Sequence, residues 1–292
     1  MPAILCVGEM LVDFICERPV ESVGDADVFV PHFGGAAANV AVLTARAGVP
    51  VALASTVGDD AWGQWLRERL VAEGVDVEHV GAAGQTAAAI VTLDGAGEAS
   101  FQIYGETLFG GGALDQAVER AGALYFSSNT LVGSAERDAT IAARDAALAA
   151  GRPVIFDPNL RLSRWRSSAD AAASVNACVP GALLVRCNEA EATLMTGEYD
   201  PERAAVALLK AGARLVVITL GPRGAILRGE IRANAPGVAA AVRSTIGAGD
   251  AVTAVLLAKL ALAGWYPAAA AVALRDAVTA GAEACERWGA VD

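Results

Sequence analysis

The sequence predicts an α/β protein built on a mostly parallel sheet with helices on both faces. Two observations predict this class: short apolar, β-branched runs alternate with alanine-rich stretches along the chain, and several of those stretches carry recognisable helix ends. Such alternation is typical of parallel strands joined by helices. Ligands of these folds bind at the carboxyl ends of the strands. Polar residues that follow an apolar run are therefore the candidates for a functional site.

The predicted elements follow one another in a regular order. Strands are expected at 3–9, 51–58, 123–128, 154–159, 182–188 and 215–221, and helices at 39–47, 61–73, 134–150, 201–211 and 251–263. Asp200-Pro201 opens one helix and Gly212 ends it, because proline suits the first helical position and glycine the residue beyond the last. Gly74 and Gly151 end two other helices in the same way.

Two segments interrupt this alternation. Residues 14–33 and 86–105 are predicted to be β-hairpins, the second turning at Asp94-Gly95-Ala96-Gly97. They form either a small flap beside the main sheet or additional edges of that sheet. No linker, low-complexity tail or internal repeat divides the chain, so residues 1–292 are expected to form a single domain.

Composition limits the partners. A formal net charge of -11 argues against nucleic acid or an anionic membrane surface. Two histidines are too few for a His-rich metal site, and the five cysteines form neither a C-x-x-C pair nor a zinc spacing, as expected of reduced thiols. The first residues lack a signal-peptide pattern, and the uncharged runs contain proline or glycine. We therefore expect a cytoplasmic protein without a membrane span.

The strongest candidate for a site is the stretch STIGAGDAVTAVLLAK, residues 244–259. Gly247 and Gly249 allow backbone N–H groups to form an anion-binding nest where a helix begins. Asp250 stands at the mouth of this nest. Either it caps the helix, or it accepts the proton of a hydroxyl that attacks a phosphoryl group, while the amides stabilise the charge on the phosphoryl oxygens.

Two further stretches add candidates for a nucleotide and its metal. TLGPRGA places Thr219, Gly221 and Gly224 after a strand, where a nucleotide can rest against bare backbone or where the chain simply turns. RCNEAEA places Asn188 and Glu191 three residues apart, either as oxygen ligands for a hydrated Mg²⁺ or as a helix cap.

Three more stretches suit a polyhydroxylated ligand. FDPNLR supplies Asp157, Asn159 and Arg161, whose guanidinium can make a two-pronged bond to a phosphate or substrate oxygen. GEMLVD leaves Asp13 at the tip of the first strand, and FGGAAANVA leads a Gly-Gly turn into a helix near Asn39, for which helix capping is the alternative. No G-x-x-x-x-G-K-[ST] loop is present, and no G-x-G-x-x-G follows the first strand.

In this order, GGAAANVAVLTARAG, FDPNLR, NEAEA, TLGPRGA and TIGAGDA resemble the PfkB (ribokinase-like) family of carbohydrate kinases, over residues 8–290. GEMLVD and FDPNLRLSRW are most similar to fructokinases and 2-keto-3-deoxygluconate kinases. The resemblance implies a ribokinase-like three-layer αβα core with a small β lid, formed by about 14–33 and 86–108. It also implies ATP and Mg²⁺, and transfer of the γ-phosphoryl group to a primary hydroxyl of fructose or a related keto sugar or sugar acid. The lid is a candidate surface for a homodimer.

The resemblance assigns roles to matching residues. Asp250 resembles the catalytic base, with Gly247, Ala248 and Gly249 as the anion hole. The Mg²⁺ and phosphate positions are matched by Asn188 and Glu191, and the nucleotide loop by Thr219, Gly221 and Gly224. The substrate positions are matched by Asp13, Gly34, Gly35, Asn39 and Arg161. The alternatives are a nucleoside kinase of the same fold and a catalytically idle sugar- or nucleotide-binding regulator.

Three departures from the family pattern stand out. Ser244 replaces the aspartate associated with a monovalent-cation site, which argues against potassium activation. Val252 and Val255 replace an aromatic residue and a glycine after the catalytic loop, which alters packing beneath it. Residues 106–115 also depart from the family pattern, so the sequence leaves the identity of the sugar open.

Overall fold

The computed structural model describes residues 2–105 and 111–292. The strands are β1 (Ile4–Val7), β2 (Leu11–Pro19), β3 (Val30–Gly34), β4 (Val51–Val57), β5 (Val80–Ala82), β6 (Ala88–Leu93), β7 (Ala99–Tyr104), β8 (Ala123–Ser127), β9 (Val154–Asp157), β10 (Leu184–Asn188), β11 (Leu215–Thr219), β12 (Ala225–Gly229) and β13 (Ala233–Ala235). The α-helices are α1 (Ala36–Arg46), α2 (Ala61–Ala72), α3 (Gly111–Arg120), α4 (Ser134–Ala149), α5 (Ser168–Asn176), α6 (Glu189–Thr196), α7 (Pro201–Lys210), α8 (Ala248–Leu262) and α9 (Ala268–Ala284).

A nine-stranded main sheet has the order β13-β12-β11-β10-β9-β8-β1-β4-β5. Its strands run parallel from β5 to β11, and only β12 and β13 are antiparallel to their neighbours. Successive residues of a strand point to opposite faces, so Ile4 and Cys6 pack with α1, α8 and α9, whereas Leu5 and Val7 pack with helices such as α4 and α7. Two apolar layers thus enclose the sheet, as the sequence predicts.

All six predicted strands of the main sheet and all five predicted helices are present. The largest boundary differences lie at two helix starts. Helix α1 begins at Ala36 because Gly35, with φ 102°, precedes it and the Glu9 carboxylate accepts the Ala36 N–H at 2.9 Å. Helix α8 begins at Ala248, after Gly247 in the left-handed region, so Asp250 lies in its first turn.

A separate four-stranded sheet has the order β3-β2-β6-β7, and we call it the small sheet. The two predicted hairpins supply its strands: β2 pairs with β3 and β6 with β7, both antiparallel, while β2 and β6 are parallel. The hairpins are therefore not edges of the main sheet. Residues 106–108 of the predicted lid, and 106–110 of the stretch that departs from the family pattern, lie outside the described residues.

The position predicted for Asp13 is wrong. The first strand ends at Val7, and Gly8, with φ 153°, starts a turn that carries the chain into the small sheet. Asp13 is consequently an inner residue of β2, paired with His32 of β3 and Ala89 of β6. The apolar run LVDFIC continues one strand pattern into the next, so the sequence alone gives little sign of the turn.

The carboxyl ends of the parallel strands meet at one edge of the main sheet. Register pairs Ser127 with Asp157 and Asn188 with Thr219 at the last positions of β8, β9, β10 and β11. The polar residues of four separate sequence motifs are thereby placed along one line. Among the described helices, none is both long enough and apolar enough to cross a bilayer.

Candidate active site

The first turn of α8 presents unpaired backbone N–H groups at this edge. Among the described residues, the amides of Gly247, Gly249 and Asp250 have no hydrogen-bond acceptor, whereas the Ala248 amide donates to the Thr245 carbonyl at 3.3 Å. Such unpaired amides at the positive end of a helix dipole attract anions. Glycine is required at 247 because φ is 76° and a Cβ would lie 2.3 Å from that of Ala290. The local sequence therefore builds an anion site.

Asp250 lies beside these amides and is 6% exposed. The Asn39 Nδ2 donates to its Oδ2 at 2.9 Å, and the Asn159 Nδ2 approaches its Oδ1 at 3.4 Å. These partners come from α1 and from the segment after β9, so the carboxylate does not act as a helix cap. Burial raises the pKa of Asp250 to about 7, although the Asn39 hydrogen bond lowers it. A carboxylate with such a pKa is suited to accept a proton near neutral pH.

Asp13 faces the same region from the small sheet. It is 4% exposed, its side chain makes no hydrogen bond within the described part of the chain, and burial raises its pKa to about 7. A Cβ on Gly34 would lie 2.2 Å from the Asp13 Oδ2, so this glycine allows the chain to approach the carboxylate. A Cβ on Gly35 would lie 2.4 Å from the Glu9 carbonyl, so Gly35 allows the start of α1 to lie against the Glu9 backbone.

Asn39 connects this region to Asp250. Its Nδ2 donates a hydrogen bond to the Asp250 carboxylate, and its Oδ1 is buried without a partner among the described residues. Glu9 adds a second buried acceptor of this kind: its Oε1 accepts from the Ala36 amide and the Asn129 Nδ2, while its Oε2 has no partner there. Acceptors buried without donors carry a free-energy cost. Hydroxyl groups of a ligand would supply the missing donors.

Arg161 lies between the two sheets. Its Cζ is 4.9 Å from the ring centroid of Phe101 in β7, and its Nη1 donates to the Leu160 carbonyl at 3.3 Å. Its positive charge lowers the pKa values of both Asp13 and Asp250 against the effect of burial. The guanidinium is therefore close to both carboxylates without forming an ion pair with either.

The predicted nucleotide loop follows β11. Thr219 ends the strand, and a short 3-10 helix spans Gly221–Arg223. Gly221, with φ 56°, borders open space, whereas a Cβ on Gly224 would lie 2.0 Å from the Ala235 carbonyl. Gly224 is consequently required by the turn itself, and Gly221 leaves backbone exposed beside Thr219.

Asn188 and Glu191 form a capping box at the start of α6. The Asn188 Oδ1 accepts the Glu191 amide at 2.9 Å, and the Glu191 Oε2 accepts the Asn188 amide at 2.8 Å. The Glu191 Oε1 also accepts the Leu160 amide at 2.8 Å. The capping alternative is thus realised, and any Mg²⁺ role would have to coexist with it. Burial and the nearby Asp157 raise the pKa of Glu191.

The sequence prediction missed Glu9, Asn129 and Arg186. Arg186 lies on β10, with its Nη1 3.3 Å from the Asp157 Oδ2 and its Nη2 2.9 Å from the Thr219 Oγ1. A single arginine in the otherwise apolar run ALLVRCN was the available signal, because a charge inside a strand covered on both faces needs partners.

Two of the departures from the family pattern have clear surroundings. Ser244 is fully buried, and its Oγ accepts the Ile246 amide at 3.0 Å. Val252 packs against α9, where a Cβ on Gly281 would lie 2.9 Å from the Val252 Cγ2. A larger side chain at 252 would therefore require α9 to move. Val255 is partly buried in the same layer.

The turn of the second hairpin touches the loop that precedes α8. The Thr245 amide donates to the Gly97 carbonyl at 2.9 Å, and the Thr245 Oγ1 lies 3.3 Å from the Glu98 Oε2. A Cβ on Gly97 would lie 2.8 Å from the Val242 Cγ1. The turn of the small sheet is hence in direct contact with the loop that leads into the anion site.

Comparison with known proteins is consistent with this geometry. The profile of the pfkB family carbohydrate kinases matches residues 1–292. A probable fructokinase-7 of Arabidopsis thaliana is 34% identical over 272 residues, covering 88% of this chain and 78% of that protein.

Solved structures that resemble this chain are also kinases of small molecules. A double mutant of the fructokinase from Vibrio cholerae O395, bound to fructose, ADP and potassium ion, is 30% identical with a TM-score of 0.87, covering 100% of this chain and 94% of that one. The aminoimidazole riboside kinase from Salmonella enterica, complexed with aminoimidazole riboside and an ATP analogue, is 26% identical with a TM-score of 0.84, covering 99% and 95%. Because the family profile spans the whole chain, this protein belongs to the pfkB family of carbohydrate kinases and is a phosphotransferase.

Proposed function

We propose that this chain transfers the γ-phosphoryl group of ATP to a primary hydroxyl of fructose or a closely related keto sugar, with Asp250 as the general base. The observation that carries this proposal is the Asp250 carboxylate, buried beside the unpaired amides of Gly247 and Gly249. Base and anion site must be adjacent for direct in-line transfer. The names of the two fructokinases among the similar proteins favour a sugar over a nucleoside as the acceptor.

The chemical step uses groups that the fold already holds in place. Asp250 takes the proton as the sugar hydroxyl oxygen bonds to the γ-phosphorus, and the bond from that phosphorus to the ADP oxygen breaks. The amides of Gly247 and Gly249, together with that of Ala248 once its long bond to Thr245 yields, stabilise the charge on the phosphoryl oxygens. Asn39 orients the carboxylate through its 2.9 Å hydrogen bond.

The acceptor sugar is proposed to lie between the small sheet and the start of α1. Asp13, the free Oδ1 of Asn39 and the free Oε2 of Glu9 are acceptors without donors among the described residues. Several hydroxyl donors on one small ligand would satisfy all three. Gly34 and Gly35 keep this space open, and Arg161 is placed to bond the sugar or the transferred phosphate.

ATP is proposed to rest against Thr219, Gly221 and Gly224, with Mg²⁺ near Asn188 and Glu191. The residues fit a metal that keeps most of its water, because one carboxylate and one amide oxygen are few protein ligands and each still has a free lone pair. When bound, Mg²⁺ neutralises phosphate charge. The capping box fixes the orientation of the Glu191 carboxylate, which supports its proposed role beside Mg²⁺.

We also propose that the small sheet is the lid of a single kinase domain, 1–292. Its contact with Thr245 links it to the anion site. Its edge strand β7 exposes Tyr104 to solvent at 58%, which makes that edge the candidate dimer surface; sedimentation velocity would test this. The five free cysteines support a location in the reducing cytoplasm.

A substrate panel tests the function. Purified protein, ATP and Mg²⁺ are incubated with ketoses, aldoses, keto sugar acids and nucleosides, and ADP release is followed. Fructose or a related keto sugar is expected to give the highest kcat/KM. A nucleoside as best substrate would overturn the sugar assignment. ADP formation with none of them, alongside ligand-induced thermal stabilisation, would favour the idle regulatory alternative.

A further inference from the structure

Arg186 is a buried cation directly behind the anion site. Its side chain is 9% exposed, and its Nη1 and Nη2 contact Asp157 and Thr219 at the carboxyl edge of the sheet. The Nε has no partner among the described residues. A charge buried with incomplete hydrogen bonding is costly to stability, so its presence at this edge calls for a functional reason.

The guanidinium presses against the backbone of the anion site. A Cβ built on Gly249 would lie 2.5 Å from the Arg186 Nη1 and 3.0 Å from its Cζ. Gly249 has an ordinary helical conformation, so φ does not demand glycine there. A Cβ at position 249 would therefore have to displace the guanidinium, and the arginine in turn limits where the Gly249 amide can sit.

Asp157 extends this contact to the catalytic carboxylate. It is fully buried, and its Oδ2 accepts from the Thr253 Oγ1 at 2.8 Å as well as from Arg186. Its Oδ1 accepts the Asn159 amide at 3.1 Å, and the Asn159 side chain reaches Asp250. One connected set of side chains therefore joins β9, β10 and the first two turns of α8.

We propose that Arg186 is a positioning residue for phosphoryl transfer, which rests on the proposed kinase function. It holds the Gly249 amide and the Asp250 carboxylate in fixed relation and places a positive charge behind the amides that receive the phosphoryl group. Its positive charge also offsets the negative charges of three buried carboxylates, those of Asp157, Glu191 and Asp250. Preorganised charge of this kind stabilises a transition state without reorganisation.

A pH readout separates this role from a purely structural one. The polar and charged groups that face Asp250 come from several elements. They are Asp13 of β2, Asn39 of α1, Tyr125 of β8, Asp157 of β9, Asn159 and Arg161 of the segment after β9, and Arg186 of β10. Within this set Arg161 and Arg186 are the cations that lower the pKa of Asp250. Loss of Arg186 is therefore expected to move the acid limb of kcat to higher pH than in the wild type.

The variants are Arg186→Met and Arg186→Lys, assayed with the best substrate of the panel. Arg186→Met is expected to lower kcat by roughly 10²- to 10³-fold, as for loss of one group that stabilises transition-state charge, with the KM for sugar unchanged within about threefold. Arg186→Lys keeps the positive charge but lacks the planar guanidinium that contacts Asp157 and Thr219 at the same time. It should leave the acid limb in place and recover part of kcat.

The matched control is Arg228→Met. Arg228 lies on β12, away from the carboxyl-edge cluster, and is equally buried, at 6% exposed. Its Nε donates to Glu202 of α7 at 2.6 Å. It should lower the Tm without moving the acid limb. If Arg186→Met does not fold, the double variant Asp157→Asn/Arg186→Met, which removes both charges of the ion pair, is assayed instead for kcat alone, because Asp157 itself raises the pKa of Asp250.

Two failures are distinguishable. If the wild type phosphorylates no acceptor, the proposed function fails. If the wild type is active and the Arg186→Met protein keeps kcat within about threefold and the same acid limb, the role of Arg186 is overturned. Where the double variant is used in its place, a kcat within about threefold of the wild type overturns that role. An equal loss of kcat in Arg228→Met would also overturn it, because the effect would then be general to buried arginines.

Discussion

Replacing Asp250 by asparagine is expected to lower turnover by orders of magnitude and to stabilise the protein at the same time. A positioned general base contributes roughly 10²- to 10⁴-fold to the rate, and asparagine cannot accept the proton. The change is nearly isosteric, so its Oδ1 can still accept from the Asn39 Nδ2 that lies 2.9 Å from the carboxylate. Sugar and nucleotide binding should therefore persist.

The stability gain follows from the pKa of this carboxyl group. Burial raises it from 3.8 to about 7 in the folded protein, and each unit corresponds to about 1.4 kcal/mol. At pH 8 the carboxylate is charged in both states, so its burial costs the native state on the order of 4 kcal/mol. At pH 4 the native group is neutral and this cost nearly vanishes. Wild-type stability due to this group thus falls as pH rises from about 4 to 7.

The assay measures kcat together with Tm at pH 5, 6, 7 and 8. The Tm of Asp250→Asn should exceed that of the wild type by a margin that grows with pH. Asp138→Asn, which changes an exposed carboxylate, is the control and should show neither effect. Turnover close to that of the wild type, or a Tm difference that does not depend on pH, would refute the reasoning.

Three further outcomes are expected. The kcat of the wild type should rise with pH along a limb centred near 7, which belongs to the coupled pair Asp13 and Asp250; a rate independent of pH between 5 and 8 would contradict this. Gly249→Ala should lower kcat more than tenfold, because its Cβ would meet the Arg186 Nη1 at 2.5 Å, whereas Gly95→Ala, with open space around it, should be neutral. Because Ser244 supplies no carboxylate, initial rates in potassium and tetramethylammonium salts should be equal; several-fold activation by potassium would count against it.

Much of the fold could be predicted because its signals are local. Strand and helix positions follow from apolar periodicity and from end signals such as Asp200-Pro201, whose carboxylate accepts the Glu202 and Arg203 amides. The turn at Asp94–Gly97 was likewise set by its residues, since the Asp94 Oδ1 accepts two following amides. The antiparallel strands β12 and β13 were not predicted. β13 spans only three residues, and β12 follows Gly224 directly, so its first residue falls within the predicted nucleotide loop TLGPRGA.

The start of the second strand could not be found from the sequence. LVDFIC continues the apolar pattern of ILCV, and only a glycine with φ 153° at position 8 marks the change of sheet. Whether Asp13 belongs to the tip of one strand or the interior of the next depends on which sheet pairs with it. That choice is made by β3 and β6, which are distant in sequence.

Three features follow from the amino-acid sequence alone: the helix entry at Gly247–Asp250, the family resemblance and the set of polar residues available at the strand ends. The partners of these residues depend on the folded chain. The tertiary structure brought Asn39 to Asp250 across 211 positions and pressed Arg186 against Gly249. It also showed that Asn188 and Glu191 cap a helix. The physical reason is that helix ends and turns are fixed by neighbouring residues, whereas burial and long-range contacts, which set the pKa of Asp250 and the position of its amides, exist only once the sheet has assembled.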